Sequence, residues 1–237
     1  MSHTIVLVHG AFAESASWDG VVDPLLAAGH DVVAAGNPLR GLAADAAAVS
    51  DAVAAIDGPV LLVGHSYGGS VITNVDADAG DLIGLVYVCA FAPDAGESCF
   101  DLSTRFPGST LGEALTPIPR RDGTTDLAIV KERFHDQFCA DVPAGQAARM
   151  AVSQRPVTQE ALQEPSGERP LWRELPSWFL TGEEDRNIPI AVQRFMAERA
   201  GARHTVELAG ASHAAAVSQP RAVADLILDA SRLPAAA

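Results

Sequence analysis

The chain has 237 residues, 48% of them hydrophobic and 19% charged, and its 30 acids against 16 bases give a formal net charge of −14. That balance excludes a nucleic-acid binder, which needs a basic footprint, and the apolar content excludes a disordered chain. One domain of this length, with or without a large insertion, buries roughly 70–75% of the surface its unfolded form exposes and needs no metal or disulfide staple.

The N-terminal MSHTIVLVHG enters a strand pattern at once, with no basic n-region and no cleavage site. No apolar run reaches the ~20 residues of a membrane helix. The expectation is a cytoplasmic protein without a membrane partner. Strands are predicted at 5–8, 31–35, 60–63, 83–90, 178–180 and 205–208, several of them near-continuous Val, Leu and Ile. Between them, Leu42, Val49, Val53 and Ile56 form one helical stripe. Val192, Phe195 and Met196 form another, ending at Gly201, and Val223, Leu226 and Ile227 mark a last helix. This alternation predicts an α/β fold with a mostly parallel sheet.

The stretch from Pro93 to Pro176 breaks the rhythm. It shows no good strand and holds eight of the fifteen prolines within 94–176. LTPIPRRDG at 115–123 reads as irregular loop. Leu127, Val130, Phe134 and Phe138 read as one amphipathic helix, and 142–151 as a second. The predicted organisation is a core at 1–92 and 176–237, with 93–175 inserted as a helical cap within one structural domain. The tail LPAAA is expected to fray. Cys89, Cys99 and Cys139 show no CxxC or Cys/His ligand spacing, which argues against a structural zinc and for reduced thiols.

The strongest chemical signal is Gly64-His65-Ser66-Tyr67-Gly68-Gly69, which follows an apolar strand and precedes a helical stretch. A G-x-S-x-G pattern in that context is a nucleophile elbow, with glycines two residues either side of the serine to relieve a tight turn. A serine needs a base. Of seven histidines, His213 alone lies in a loop after the last strand, on the edge where Ser66 should project. His204 starts that strand, His65 points away from Ser66, and His135 falls in the inserted stretch. The base needs an orienting carboxylate. Glu183, Glu184 and Asp185 follow the strand at 178–180, and the order Ser66, Asp185, His213 favours Asp185, with Glu184 as the alternative. Finally, Val8-His9-Gly10-Ala11-Phe12 ends the first strand and can set the Ala11 N–H beside that of Tyr67 as an oxyanion hole.

VLVHG near the N-terminus, GHSYGG, GEED and a late SH together resemble the α/β-hydrolase superfamily, over roughly 1–92 and 176–232. HGAF with Trp18 and the elbow are similar to the small branch of plant methylesterases, hydroxynitrile lyases and bacterial esterases. That resemblance implies a six-stranded parallel core with a helical cap. It implies Ser66 as nucleophile, Asp185 and His213 as its partners, and the Ala11 and Tyr67 amides as the oxyanion hole. Plant-type lyases carry a lysine after the catalytic histidine and a threonine after the first-strand histidine. Here those positions are Ala214 and Gly10, and the one lysine is Lys131. The superfamily's dehalogenases use an aspartate nucleophile where this chain has Ser66.

The expected function is therefore a serine carboxylesterase for small to medium, fairly hydrophobic esters, without metal or cofactor. Phe12, Tyr67, Phe91, Phe134, Phe138, Trp172 and Ile188 are the candidates for its pocket. Arg105 or Arg120 is the local charge that would favour an anionic substrate. A lactonase, C–C hydrolase or cofactor-free perhydrolase on the same triad is the alternative, as is a binding protein that retains the fold. The partner expected is a small molecule, not nucleic acid, and the oligomeric state stays open.

Overall fold

Strands of near-continuous Val, Leu and Ile are apolar on both faces, and a parallel sheet covered by helices on both sides is the arrangement that buries them. The computed structural model describes residues 3–232 and has this arrangement; the LPAAA tail lies outside the described residues. In chain order the strands are β1 (Thr4–Val8), β2 (Asp31–Ala35), β3 (Pro59–His65), β4 (Asp81–Val88), β5 (Leu115–Pro119), β6 (Thr125–Ile129), β7 (Val157–Thr158), β8 (Ser177–Gly182) and β9 (His204–Leu208). The helices are α1 (Asp19–Ala27), α2 (Leu42–Ala54), α3 (Tyr67–Thr73), α4 (Cys99–Thr104), α5 (Leu111–Ala114), α6 (Lys131–Phe138), α7 (Ala144–Ser153), α8 (Gln159–Gln163), α9 (Ile190–Arg199), α10 (Ala215–Ser218) and α11 (Pro220–Ala230).

Six strands form one parallel sheet in the order β2-β1-β3-β4-β8-β9. Period-two alternation sorts its side chains into two cores. Val6, Val8 and Leu62 face a cluster with Val49 and Val53 of α2 and Met196 of α9. Ile5, Leu7, Leu61 and Val63 face Val21 and Leu25 of α1 and Val223 and Ile227 of α11. Gly201 takes φ +59° just past α9, a helix-stop position that a residue with a Cβ fills only under strain.

The register aligns the strand ends. Val8 pairs with Gly64, His65 with Val88, Val88 with Leu180, and Gly182 with Leu208. The loops carrying Gly10, Ser66, Asp185 and His213 therefore leave the sheet along one edge, the carboxyl ends of parallel strands where such sheets bind ligands.

The segment between β4 and β8 is not purely helical as expected. β5, β6 and β7 form a second, antiparallel sheet in that order. Pro117 and Pro119 made 115–123 read as loop, but β5 is an edge strand, where a missing N–H is tolerated. Leu127, assigned above to a helical stripe, lies in β6 opposite Pro117. Val130 only caps the helix that starts at Lys131. Phe134 and Phe138 do lie on that helix, stacked with ring centroids 5.0 Å apart and both buried.

Candidate active site

Ser66 sits between β3 and α3 with φ 56° and ψ −125°, a conformation costly for any residue with a side chain. The surroundings hold it there. Its N–H donates to the Val88 carbonyl (3.3 Å), and its own carbonyl accepts from Gly69 N (3.0 Å) and Phe91 N (3.1 Å). The flanking glycines are required by space. A Cβ on Gly64 would lie 2.6 Å from Gly68 O, and one on Gly68 would lie 2.4 Å from Val8 O. Gly10 closes over the serine in the same way, since a Cβ there would meet Ser66 Cβ at 2.6 Å.

His213 and Asp185 are brought together. His213 Nδ1 donates to Asp185 Oδ2 at 2.7 Å, with both side chains buried. That fixes the tautomer and leaves the Nε2 lone pair free. Asp185 is held at both oxygens: Oδ1 accepts from Asn187 N (2.8 Å) and Ile188 N (2.9 Å), and Oδ2 also accepts from Gln193 Nε2 (2.9 Å). Glu183 and Glu184 are exposed, and Glu183 accepts from Gly210 N. His213 Nε2 is buried without a hydrogen-bond partner, so it is not bonded to the Ser66 hydroxyl. A buried nitrogen left open in this way is the exception in a folded protein and calls for an explanation. In unliganded sites the hydrogen bond to the nucleophile is often long or poorly aligned.

The other histidines are occupied elsewhere. His65 donates Nε2–H to the His213 carbonyl (2.9 Å), and burial, reinforced by the His213 ring, pushes its pKa down to about 3. It is a neutral strut under the His213 loop. Phe138 packs edge-on against both rings, with centroids 6.1 and 5.1 Å away. His135 bonds the Val142 carbonyl, and His204 is exposed beside Asp229.

Tyr67 enters through its backbone. Its hydroxyl donates to Asp45 Oδ2 (2.7 Å), turning the ring into the core, and burial with the Asp45 charge holds the phenol protonated. Its N–H opens α3, where a helix supplies no acceptor. Neither this N–H nor that of Ala11 has an acceptor among the described residues.

Two cavities of about 360 Å³ are lined in part by Phe12 and by Phe91, neighbours in sequence or hydrogen bonding of the proposed site residues. One is largely apolar and includes Phe91, Cys99, Leu111, Leu115 and Leu127. The other runs past Phe12, Glu14, Arg149, Met150 and Val217. Ser66 and His213 line neither. Among the remaining pocket candidates, Trp172 donates its indole N–H to Pro93 O and lies within 5.6 Å of both the Arg173 and Arg199 guanidinium carbons. Ile188 is buried behind Asp185. Arg105 stacks over Phe195, and Arg120 pairs with Asp122 and Asp126, so both are engaged. The three cysteines are free and buried. No helix among the described residues is long and apolar enough to cross a membrane.

Sequence reading missed Asn37, Arg155 and Gln193. Asn37 Nδ2 donates to His9 O (2.9 Å), and Arg155 Nη1 reaches His9 Nε2 (3.2 Å). Asn37 and Arg155 act across long chain separations, so no local spacing announces them, whereas Gln193 lies only eight residues from Asp185.

A model of the alpha/beta hydrolase family matches residues 5–226. The chain is 29% identical to a pyrethroid hydrolase of Sphingobium wenxiniae over 250 residues, covering 98% of this chain and 88% of that one. A solved pyrethroid hydrolase superposes with TM-score 0.78 at 25% identity, covering 98% of this chain and 99% of its own. Polyneuridine aldehyde esterase gives TM-score 0.79 at 21% identity over 98% and 100%, a likeness of fold alone. From the family match across its sheet and both flanking layers, this chain belongs to the alpha/beta hydrolase family.

Proposed function

We propose that the protein is a carboxylic ester hydrolase acting through an acyl-enzyme on Ser66. The observation that carries this reading is the buried Asp185–His213 pair at 2.7 Å, whose open Nε2 lies at the same sheet edge as the strained Ser66. The name shared by two relatives, pyrethroid hydrolase, supports the same class.

In this mechanism His213 Nε2 takes the Ser66 proton as Oγ attacks the ester carbonyl. Asp185 keeps the imidazole turned and stabilises the imidazolium. The carbonyl oxygen, now negative, is met by the Ala11 and Tyr67 N–H groups, each such donor being worth about 3–4 kcal/mol of barrier. His213 then protonates the departing alcohol. Water repeats the sequence on the acyl-enzyme and frees Ser66. No step draws on a metal or cofactor.

The substrate we assign is a small to medium, fairly hydrophobic ester, supported by the apolar cavity beside Phe91. Residues 93–175 serve as a cap over the active edge. Contacts from this segment to the His213 loop support that role, with Phe138 against the ring and Asp141 hydrogen-bonded to Ser212.

The test is fluorophosphonate labelling with mass mapping, alongside p-nitrophenyl esters of graded acyl length. Labelling at Ser66 and loss of turnover in Ser66→Ala are expected. Turnover surviving in Ser66→Ala, or labelling of the folded protein elsewhere, overturns the proposal.

A further inference from the structure

The loop at 9–12 carries one of the two proposed oxyanion donors, yet it is neither helix nor strand, and Phe12 holds φ +61°. Such a loop stabilises charge only if its N–H is fixed before the reaction. The sheet does not fix it, because β1 ends at Val8.

The contacts come instead from residue 155, between α7 and β7. The Arg155 carbonyl accepts from Phe12 N (3.1 Å). Its Nη1 donates to the Asn37 carbonyl (3.0 Å) and to His9 Nε2 (3.2 Å). His9 Nδ1 donates to the Gly10 carbonyl (2.9 Å), and Asn37 Nδ2 to the His9 carbonyl (2.9 Å). A guanidinium only donates. Its approach to Nε2 therefore requires a neutral His9 with the proton on Nδ1, the tautomer that grips the Gly10 carbonyl. Burial, and then the Arg155 charge, lowers the His9 pKa, opposed by Gly10 O and Glu14.

We infer that Arg155 is a positioning residue for the oxyanion loop: together with the Asn37 N–H, which also reaches His9 Nε2 (3.4 Å), its guanidinium pins the His9 ring, and through His9 and Phe12 it holds the Ala11 N–H in place. This rests on the ester-hydrolase reading above. The backbone around Arg155 is anchored independently. Thr158 N donates to Leu39 O (3.1 Å), Arg40 Nη2 donates to Pro156 O (2.9 Å), and Arg40 pairs with Asp126 at 2.7 Å. Loss of the Arg155 guanidinium alone therefore leaves the segment seated.

The experiment compares wild type with Arg155→Ala, Arg155→Gln and Arg155→Lys. It uses a p-nitrophenyl ester for kinetics and hydrogen–deuterium exchange over residues 9–13. In Arg155→Ala, kcat is expected to fall about 10–100-fold, less than the 10²–10³ seen when a donor is removed outright. KM should stay within about threefold, and exchange at 9–13 should quicken. Lysine keeps a charged donor for His9 and should recover part of kcat; glutamine should recover less. Unchanged kcat in Arg155→Ala, or an equal loss in the lysine variant, overturns the inference. If wild type shows no Ser66-dependent turnover, the ester-hydrolase reading fails, and the exchange arm still decides the loop: unaltered protection at 9–13 in Arg155→Ala and Arg155→Gln refutes the positioning role.

Discussion

Replacing Asp185 by asparagine changes one atom in a site where both carboxylate oxygens are taken. Oδ1 faces the N–H groups of Asn187 and Ile188, and Oδ2 faces His213 Nδ1 and Gln193 Nε2. An amide accepts at one end only. The two backbone donors cannot turn, so the asparagine oxygen takes their side and its NH₂ points at His213. His213 must then accept at Nδ1 and carry its proton on Nε2, where the mechanism needs a lone pair. The alternative rotamer sets NH₂ against two backbone donors, at about 1–3 kcal/mol for each group left unpaired. The wrong tautomer costs on the order of 10³–10⁴ in kcat, or about 4–5.5 kcal/mol of barrier. The assay is the initial rate on a p-nitrophenyl ester, corrected for folded protein, with ¹⁵N-histidine NMR reading the tautomer of residue 213. Glu184→Gln is the control and should stay within about twofold, since Glu184 is exposed. An Asp185→Asn enzyme within tenfold of wild type, folded and with Nδ1 still protonated, would refute the reasoning.

Gly68→Ala should lower stability by about 3 kcal/mol, because the new methyl meets the fixed backbone at Val8 O (2.4 Å) and His9 O (2.9 Å). Urea unfolding with an unchanged midpoint would contradict that close approach. Stability should also fall with acid through His65. The unfolded chain takes up its proton near pH 6.5, whereas the folded chain excludes it until about pH 3. The stabilisation is complete above 6.5 and is lost as the pH falls across that window, by up to about 1.4 kcal/mol per unit. Thermal melts from pH 6.5 to 4.5 should show a shallower slope in His65→Gln. A residual slope is expected from His9, which burial also holds below its ordinary value. Identical slopes would mean that His65 is not the group responsible.

The central strands were legible because the physics that buries them writes a local pattern. β1 is buried at every position and β3 at all but Pro59, so each carries an apolar run, residues 5–8 in one and 60–63 in the other. The elbow was legible for a related reason: Gly64 and Gly68 are imposed by contacts within a few residues and with one neighbouring strand. Asp185 was harder to separate from Glu183 and Glu184, because burial rather than residue type distinguishes them. The sheet β5-β6-β7 was misread since Pro117 and Pro119 weigh against a strand, and only a partner on one side makes them acceptable. Arg155 was invisible. Its contacts to Asn37 and His9 cross 118 and 146 residues of chain.

The segment between β4 and β8 leaves and rejoins the main sheet at adjacent strands, with Val88 paired to Leu180. Because the strands are parallel, the segment leaves at the carboxyl end of β4 and returns to the amino end of β8, where Ser177 pairs with Leu85, so it must cross back by about 10 Å along the sheet. Any insert long enough to make that crossover can be spliced there without rethreading the six-stranded sheet, since closing a longer loop costs little. Lineages of this fold can therefore exchange the segment wholesale while the sheet and its edge loops are inherited intact. In this chain the His9–Arg155 clamp limits that freedom: a graft lacking an equivalent donor would bring a new lining and leave the Gly10 loop slack.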